Sequence, residues 1–570
     1  MSQPKKNTPE AILPLSGLQM PFWIHESLNR ARKRPGGTVH VQFRLTDLQN
    51  IEQLRRAWAA VHTAHPTMRA SVNTTKTNDT LMVVRRDCEA QFSHADWSGL
   101  PTDAQQHRIE DHLRLDRQTP LDLSRAPASR FFCASLGGAT VWCLWTCHHV
   151  LLDGWSSALI IGDLITHCAN GASDAAVSLP PGPDYIGYRR FVDRQPADLA
   201  KHYWTERLRG LIQPTLVTHA ERPAPGAEPG SLTTQRTLSK TQTEHLLATY
   251  KSMGITVASV LEGAWALTCA STSQRSDVVF GVVTTGRSSD FNGVERIAGM
   301  FTNVIPLRVQ TDSDAPLTAW LSAVQADLFD ATLHEHVPLA DIIRQGEPAL
   351  HTVAFDSVLA IETLPTIQPP DVVQPRIQDY QSDTVNGFPL GVTVIPGERL
   401  SITLACDRSR VSEHTLSALA DRYLGFIQAC LDNPDAGPVE LIEQAGVCGH
   451  LGNSGTGSLR SQQILQGLVE PKTERDMEVL SLFEEELNRY PLSMDSDLFA
   501  NGGTSLNLLR LIEACKARFG KQLSLARFLE TPTVASLCEQ LSDEADCSTI
   551  PSLVTLRAAA SAANSEGNGQ

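Results

Sequence analysis

The composition of this chain changes near residue 446. Up to Gln444 the sequence alternates segments with strand and helix patterns. The stretch GVCGHLGNSGTGSLRSQQ, which begins at Gly446, is rich in Gly and Ser and lacks apolar periodicity, as is typical of a flexible linker. The 570 residues also exceed what one hydrophobic core usually supports. The sequence therefore predicts a long N-terminal unit, a linker and a short C-terminal unit.

The long unit is predicted to be a mixed α/β structure. TVHVQFRL, from Thr38, alternates apolar and polar residues as a half-buried strand does, whereas IEQLRRAWAAVHTAH, from Ile51, has the spacing of an amphipathic helix. SRFFCASLGGATVWCLWTCHH, from Ser129, has the pattern of a β-hairpin that turns at Gly137 and Gly138. Strands and helices thus follow one another along this part of the chain.

The short C-terminal unit is predicted to be a small helical bundle. DMEVLSLFEEELNR, SLNLLRLIEACKARFG and SLARFLETPTVASLCEQLSDE have helical spacing and are separated by loops. After Ser548 the sequence contains the apolar stretch IPSLVTLR and then trails into Ala, Ser, Asn and Gly, which predicts a disordered tail.

Composition argues against several functions. The net charge of -15 is spread along the chain, and no basic stripe interleaved with aromatic residues is present, so we expect no nucleic-acid partner. No stretch is long and apolar enough to span a bilayer, and the first residues lack the apolar core of a secretory signal; we therefore expect a cytoplasmic protein with no membrane partner. The 12 cysteines are scattered without a C-x-x-C pair, which predicts reduced core thiols and no metal site.

The motif CHHVLLDG carries two adjacent imidazoles, His148 and His149, just before a turn. A strand that ends at this pair delivers a ring from a rigid element, and only one of two adjacent strand residues can face an open site. A neutral imidazole can take a proton from an attacking amine or hydroxyl. A structural or surface role for the pair is the alternative. Asp153 can orient the imidazole or pair with a distant Arg, and we favour the second role.

Six stretches, in order, resemble the motifs of the condensation domains of nonribosomal peptide synthetases. HHVLLDG is similar to the family signature HHxxxDG, and the other stretches are LPLSGLQMPFW, AHPTMRASV, YRRFVDRQ, GRSSDFNGVERIAGMFTNVIPLRV and HEHVPLADI. The likeness covers residues 10–445. The first two stretches depart from the usual family pattern, which leaves the subfamily and the donor stereochemistry open.

The resemblance implies a fold and a domain organisation. The condensation domain would be α/β, with two chloramphenicol-acetyltransferase-like lobes arranged in a V, followed by a small four-helix carrier bundle. The expected segments are an N lobe at about 10–185, a C lobe at about 186–445, a flexible linker at 446–473, a peptidyl carrier domain at 474–545 and a disordered tail at 546–570.

The resemblance also implies roles for the residues of the histidine motif. His149 would lie in a tunnel between the lobes and help an acceptor amine attack a donor thioester, either as a base or by hydrogen-bonding the tetrahedral intermediate. His148 would orient the loop. Gly154 would allow the histidine and its neighbours to approach the thioester closely.

Four further residues receive expected roles. Asp153 would form a structural ion pair with Arg287 of TTGR, in agreement with the role favoured above. Asn303 and Trp155 would line the site. For Asn303 the alternative is an ordinary turn or sheet residue.

Ser505 follows a Gly-Gly turn and opens an amphipathic helix in DLFANGGTSLNLLRL. The free N–H groups and positive dipole end of a helix N-terminus favour an attached phosphate, although a helix N-cap is the alternative role for this Ser. DLFANGGTSL resembles the carrier signature D-x-F-x-x-G-G-x-S-L, with Thr504 where Asp or His is usual. The resemblance implies that Ser505 carries 4'-phosphopantetheine.

Together the resemblances imply an acyltransferase that forms an amide bond. The donor would come from an upstream donor carrier protein, and the acceptor would be held on the chain's own phosphopantetheine arm. No adenylation domain separates the two units, so a separate adenylation enzyme would load the acceptor in trans, and a phosphopantetheinyl transferase would modify Ser505. The stretch IPSLVTLR resembles the start of thioesterase domains, which makes a separate thioesterase a candidate partner. Alternatives are ester-forming or release-type condensation onto a soluble amine or alcohol, and a non-catalytic recruitment platform.

Overall fold

A computed structural model describes most of the chain and divides it into two compact units. The described residues are 9–31, 37–75, 79–170, 184–195, 197–218, 231–288, 291–346, 354–362, 367–368, 372, 374–383, 388–408, 411–447, 469, 471–487, 492–498, 505–521 and 525–541. Unit 1 comprises Met1–Trp23, Pro35–Thr74 and Thr80–His450; unit 2 comprises Ile24–Arg34, Thr75–Asp79 and Leu451–Gln570. Most of the linker predicted at 446–473 and the tail predicted at 546–570 lie outside the described residues.

The described residues form strands and helices in mixed order, as the sequence predicts. The strands are β1 (Pro9–Pro14), β2 (Thr38–Thr46), β3 (Ala70–Thr74), β4 (Thr80–Arg85), β5 (Phe92–Asp96), β6 (Ser129–Gly137), β7 (Thr140–His148), β8 (Ser231–Thr237), β9 (Asp277–Thr284), β10 (Asn303–Gln310), β11 (Ser357–Ile361), β12 (Arg376–Asp383), β13 (Leu390–Ile395) and β14 (Ser401–Asp407). The helices are α1 (Met20–Ala31), α2 (Ile51–Ala64), α3 (Thr102–Gln118), α4 (Gly154–Asn170), α5 (Tyr185–Val192), α6 (Ala197–Leu208), α7 (Lys240–Ser252), α8 (Val257–Ser273), α9 (Leu317–Thr332), α10 (Leu339–Ile343), α11 (Glu413–Asp432), α12 (Pro438–Val447), α13 (Glu474–Leu487), α14 (Ser505–Phe519), α15 (Leu525–Glu530) and α16 (Val534–Leu541).

Two large sheets define the two lobes of unit 1. The first has the strand order β12-β2-β7-β6-β5, and the second has the order β10-β9-β11-β13-β14-β8; a three-stranded sheet, β1-β4-β3, accompanies them. The predicted hairpin is present as β6 and β7, whose ends pair Ser129 with Cys147. Gly137 and Gly138 adopt positive φ angles of 91° and 57° at its turn, a conformation that residues with a Cβ rarely adopt.

Strand β12 joins a sheet that its position in the sequence does not suggest. Residues 376–383 fall in the segment assigned above to the C lobe, yet β12 pairs antiparallel with β2 at the edge of the first sheet, where Asp383 lies opposite His40. An ion pair between Arg44 and Asp379, with 3.0 Å between Nη1 and Oδ2, spans the same two strands. The second half of unit 1 therefore contributes a strand to the first lobe.

The first lobe covers its sheet on both faces. On one face Trp58 of α2 packs edge-on against Trp145 of β7, with ring centroids 5.6 Å apart. On the other face His112 of α3 stacks on Phe132 of β6 at 3.8 Å, beside the buried Trp142 of β7. Because both faces are covered, β7 reads as a continuous apolar run instead of an alternating one.

The second lobe is built around α8, which is buried along most of its length. Trp265 of α8 packs edge-on against Tyr423 of α11 at 5.1 Å, and the Tyr423 hydroxyl donates a hydrogen bond to the Leu261 carbonyl at 3.1 Å. Among the described residues no single helix is long and apolar enough to cross a membrane; α7 and α8 meet that test only together, as a pair bent by 105°.

A carboxyl group without a charged partner lies inside this second core. Glu262 of α8 is 1% exposed, and its Oε2 atom has no hydrogen-bond partner among the described residues. Burial raises the pKa of Glu262 from 4.5 to about 8, so the folded protein holds this carboxyl protonated at neutral pH. The unfolded chain exposes the same carboxyl to water, where it ionises at the lower pKa.

We predict that Glu262 makes stability fall as pH rises. Below pH 4.5 the Glu262 carboxyl is protonated in both the folded and the unfolded chain, and its titration costs no stability. As pH rises from 4.5 to the folded pKa of about 8, the unfolded chain gains the ionised form first, so the free energy of unfolding falls progressively. Glu262→Gln removes this titration, so between these values the free energy of unfolding of the wild type should fall relative to the variant by about 1.4 kcal/mol per pH unit. Denaturation midpoints of both proteins across this range measure the difference. Glu244→Gln, on the exposed face of α7, is the matched control; parallel pH dependence of wild type and Glu262→Gln would contradict the prediction.

The described part of unit 2 beyond residue 468 is helical, as the sequence predicts. Helices α13 to α16 lie between Glu474 and Leu541. Phe483 of α13 packs edge-on against Phe528 of α15 at 6.2 Å, and both side chains are buried. These aromatic residues form part of the small core that holds the helices together.

Candidate active site

The histidine pair lies at the end of β7, a central strand of the first sheet. β7 ends at His148, and His149 lies in the turn that follows. Neighbouring strands β2 and β6 pair with β7 along its length, and the His149 backbone N–H donates a hydrogen bond to the Gly37 carbonyl at 3.0 Å. A rigid strand therefore fixes the position of the His149 backbone, as the sequence predicts.

The His149 ring is partly exposed and stacks on Phe22. The two ring centroids are 4.2 Å apart and the ring planes differ by 12°. Nδ1 of His149 is buried and has no hydrogen-bond partner among the described residues, whereas Nε2 is not enclosed in this way. Burial lowers the pKa of His149 below its ordinary value of 6.5, and the opposing effects of its own backbone and of Asp153 do not outweigh burial. The ring is therefore neutral at pH 7 and able to accept a proton.

His148 has a different environment from its neighbour. It is buried, and its Nδ1 accepts a hydrogen bond from the backbone N–H of Val150 at 3.1 Å. This bond closes the turn that carries His149, which agrees with the loop-orienting role that the family resemblance implies.

Asp153 is buried at 1% exposure and both of its carboxylate oxygens accept hydrogen bonds. Oδ1 accepts hydrogen bonds from the backbone N–H and the hydroxyl of Ser156, at 2.8 and 2.6 Å, and from Arg287 Nη2 at 3.2 Å. Oδ2 accepts hydrogen bonds from Arg287 Nη1 at 2.8 Å and from the backbone N–H groups of Phe301 and Thr302, at 3.1 and 3.2 Å. Burial favours the protonated carboxyl, but the Arg287 charge and these hydrogen bonds outweigh it and hold the pKa of Asp153 below its ordinary value. The ionised carboxylate thus ties the turn of the first lobe to the segments after β9 and before β10.

Arg287 completes this ion pair and is itself enclosed. Its guanidinium carbon lies 4.2 Å from the centroid of the Phe301 ring and 5.5 Å from that of Trp155. It also donates hydrogen bonds to the carbonyls of Thr285 at 3.0 Å and Ile297 at 3.2 Å. The guanidinium is thereby held in one orientation, and the ion pair expected between Asp153 and Arg287 is present.

Gly154 and Trp155 form the start of α4, directly after Asp153. α4 begins at Gly154, and the Trp155 indole N–H donates to the Glu295 carbonyl at 2.9 Å. Trp155 therefore packs against Arg287 and against the segment that precedes β10. A role of Trp155 in lining the substrate path stays a prediction.

Asn303, the first residue of β10, uses its amide to brace a loop. Nδ2 donates to the carbonyls of Glu335 and Val337 at 2.8 and 2.6 Å, and Oδ1 accepts from the Val304 backbone N–H at 2.8 Å. Both amide hydrogens are thus engaged by backbone carbonyls. This arrangement favours the structural alternative for Asn303 over a side chain that meets substrate.

Sequence analysis missed Glu335, which holds the turn that carries Arg287. Its buried carboxylate accepts hydrogen bonds from the backbone N–H of Gly286 at 3.2 Å and of Ser288 at 3.0 Å. Gly286 has a φ of 68°, and a Cβ there would lie 2.1 Å from the Phe301 carbonyl oxygen, so glycine is needed in this turn. The available signal was an acidic residue inside the stretch HEHVPLADI, whose partner the sequence does not identify.

Ser505 is the first residue of α14, a helix of 15 residues in unit 2. Thr504 and the Gly-Gly turn lie outside the described residues. A helix that starts at Ser505 has free backbone N–H groups in its first turn, which favour a nearby phosphate; attachment of 4'-phosphopantetheine to Ser505 stays a prediction.

Two sequence profiles match the chain. The profile described as Condensation domain matches residues 10–442, and the profile described as Phosphopantetheine attachment site matches residues 478–541. The chain belongs to the condensation domain family. Its condensation domain is followed by a carrier domain, the kind of domain to which 4'-phosphopantetheine is attached. The resemblance to nonribosomal peptide synthetases is thereby confirmed.

Two curated relatives are much longer synthases. Chondramide synthase of Chondromyces crocatus is 30% identical over 399 residues, which are 69% of this chain and 10% of the relative. Surfactin synthase subunit 3 of Bacillus subtilis (strain 168) is 24% identical over 526 residues, which are 90% of this chain and 39% of the relative. The chain thus spans well under half of the length of these relatives.

A solved structure shows the same fold. The first condensation domain of the calcium-dependent antibiotic synthetase superposes with a TM-score of 0.60 at 18% identity, covering 76% of this chain and 99% of that domain. The predicted fold class is confirmed: the condensation domain has chloramphenicol-acetyltransferase-like α/β lobes, and the carrier domain is helical.

Proposed function

We propose that the protein forms an amide bond between a donor acyl group and an acceptor aminoacyl group held on its own Ser505. The observation that carries the proposal is the state of His149: a neutral, partly exposed imidazole, fixed at the end of a rigid strand. Condensation domains form amide bonds in the synthetases to which the relatives belong, which supports the same chemistry here.

In the proposed reaction the acceptor nitrogen attacks the carbonyl carbon of the donor thioester. A new C–N bond forms, the C–S bond of the donor breaks, and the departing sulfur receives one proton. His149 Nε2 takes that proton from the attacking amine and returns it to the sulfur, or stabilises the reacting centre by hydrogen bonding. No oxidant, metal or external energy source is needed, because a thioester is already an activated acyl group.

Asp153 and Arg287 support this reaction from a distance. Their ion pair holds the His149 turn against the segment between Ile297 and Thr302. The Asp153 carboxylate is saturated by these contacts, so it acts as a structural anchor and is not a proton carrier. Gly154 is proposed to allow His149 and its neighbours to approach the thioester closely, as the family resemblance implies.

Ser505 is proposed to hold the acceptor. The phosphopantetheine arm, once attached to Ser505, supplies a thiol that carries the acceptor as a thioester. The chain's own contribution is the helix N-terminus at Ser505, which favours the attached phosphate.

The proposed partners follow from the domain order. Only residues 443–477 separate the two matched domains, and this segment is too short to contain an adenylating domain. We infer that a separate adenylation enzyme loads the acceptor, that an upstream carrier supplies the donor and that a phosphopantetheinyl transferase modifies Ser505. A separate thioesterase is a further candidate. The proposed organisation remains a condensation domain at 10–445, a linker at 446–473 and a carrier domain at 474–545.

The intact mass of the protein tests the carrier assignment. After incubation with coenzyme A and a promiscuous phosphopantetheinyl transferase, the wild type should gain one phosphopantetheine, and Ser505→Ala should gain none. Ser481→Ala, on α13 in the same domain, is the matched control and should be modified like the wild type. Modification of Ser505→Ala would place the arm elsewhere, and no modification of the wild type would show that this carrier domain is inactive.

A further inference from the structure

We propose that Phe22 is a positioning residue for His149 and fixes the plane of its imidazole for proton transfer. The proposal rests on the proposed function, in which His149 Nε2 accepts or shares the proton of the acceptor amine. It assigns a role to a residue in the first motif, LPLSGLQMPFW, where this chain departs from the usual family pattern.

The first observation is that no side chain of the described residues forms a hydrogen bond with Nδ1 of His149. An imidazole that acts as a base is usually oriented by a hydrogen bond at its other nitrogen, which also selects the tautomer. Here Nδ1 is buried without a hydrogen-bond partner among the described residues. The nearby Asp153 carboxylate is fully engaged by Ser156, Arg287 and backbone N–H groups. Besides its own backbone, the groups that constrain the orientation of the ring are therefore the side chains packed against it.

The second observation is the stacked ring itself. Phe22 lies nearly parallel to His149, at 12°, with 4.2 Å between centroids. A flat partner at this distance covers one face of the imidazole and opposes rotation about its Cβ–Cγ bond, because rotation would drive the ring edge into the phenyl ring. An aromatic face also interacts favourably with the imidazolium that forms when the proton is taken up.

The third observation is that Phe22 is held against the histidine turn. Gln19, three residues earlier, is fully buried, and its Nε2 donates to the Val150 carbonyl at 2.8 Å, just after His149. Gln19 Oε1 accepts from the Ser16 backbone N–H at 3.1 Å and from Arg189 at 3.3 Å. α1 begins directly afterwards, at Met20. The segment that carries Phe22 and the turn that carries His149 are therefore joined at two points, one polar and one aromatic.

The test is Phe22→Leu, which keeps an apolar side chain of similar size but removes the flat ring. Phe92→Leu is the matched control, because Phe92 is a half-buried phenyl ring of the same lobe that stacks on Phe131, at 5.6 Å and 10°, instead of on a histidine. Two readouts are taken. One is the rate of condensation, using carriers loaded from a panel of aminoacyl-coenzyme A thioesters. The other is carbethoxylation of His149 by diethyl pyrocarbonate, followed by peptide mass spectrometry across pH.

We expect the two readouts to change in opposite directions in Phe22→Leu. Condensation should slow by about 10- to 100-fold in kcat with little change in KM for the donor carrier, because the ring is misaligned but binding is intact. Carbethoxylation of His149 should become faster, because a covered face of the ring is opened. In the wild type its midpoint should lie below pH 6.5, in keeping with the lowered pKa of His149. Carbethoxylation of the exposed His107 serves as the reference for the activity of the reagent. Carbethoxylation of the buried His148 would report unfolding.

The outcomes separate this inference from the function on which it rests. Wild-type condensation and wild-type carbethoxylation in Phe22→Leu would overturn the role of Phe22. Faster carbethoxylation with unchanged condensation would overturn it also, since the stack would then be real but without effect on the reaction. A fully active His149→Ala would instead overturn the proposed function, and the carbethoxylation readout would still report whether Phe22 controls the ring.

Discussion

Replacing His149 with alanine is expected to abolish condensation while Ser505 still receives its phosphopantetheine arm. Removal of a positioned general base typically costs about 10²- to 10⁴-fold in rate, roughly 3 to 5 kcal/mol of transition-state stabilisation. We expect little structural damage from this change, because His149 is partly exposed at the end of β7 and the neighbouring strand pairing uses only its backbone. The measurement is the amount of condensed product on the carriers after a single turnover, with the mass of the Ser505 peptide recorded in the same samples.

The control for this experiment is His107→Ala, because the His107 side chain is 80% exposed on α3 and outside the site. It should condense like the wild type. If His149→Ala also forms product at the wild-type rate, His149 is not catalytic, and the non-catalytic recruitment platform becomes the better account of the condensation domain.

The second large effect is expected for Asp153→Ala, and it should appear first as loss of stability. The change removes the partner of the enclosed Arg287 charge and leaves the N–H groups of Phe301 and Thr302 without their acceptor. Breaking a buried ion pair by removing one partner typically costs about 3 to 5 kcal/mol. Because the pKa of Asp153 is lowered in the folded protein, this contribution is present above the ordinary pKa of 3.8 and is lost as pH falls below it. Denaturation midpoints of wild type and variant at neutral pH measure the loss.

Asp111→Ala supplies the contrast for this prediction. Asp111 pairs with Arg114 on the surface of α3, with side chains 66% and 71% exposed, and such a pair contributes at most about 1 kcal/mol. The double change Asp153→Ala with Arg287→Ala should recover part of the loss, because it removes the uncompensated charge. An Asp153→Ala protein as stable as Asp111→Ala would show that the anchor between the two lobes is unimportant.

Local features of the condensation domain were predictable because they depend on nearby residues. The β6–β7 hairpin follows from alternating patterns around Gly137 and Gly138, and the place of the histidine pair at the end of a strand follows from the apolar run before it. The family motifs then identified Asp153 and Arg287 as partners, although 134 positions separate them. The residues alone indicate a distant Arg as the partner of Asp153 but do not identify which one.

Features that depend on long-range packing were not predictable in this way. The pattern of β12 identifies a strand but not its partner, and the structure places it beside β2 of the other lobe. Phe22 reads as an ordinary apolar residue of α1, and nothing in its spacing indicates a stack on His149. The sequence leaves Asn303 open between a site-lining residue and an ordinary turn or sheet residue, and only the structure shows that its amide meets the backbone of Glu335 and Val337. Each of these contacts is set by tertiary structure, which the local sequence does not encode alone.

The location of the product after one turnover tests the proposed function. Wild-type protein with an acceptor aminoacyl group on Ser505 is mixed with a loaded donor carrier, and the Ser505 peptide is isolated and weighed by mass spectrometry. The proposed function predicts that this peptide gains the donor acyl group through an amide bond, while the donor carrier is left with a free thiol. A product that is free in solution, or joined by an ester to a soluble alcohol, with the Ser505 peptide unchanged, would contradict the account and favour release-type condensation.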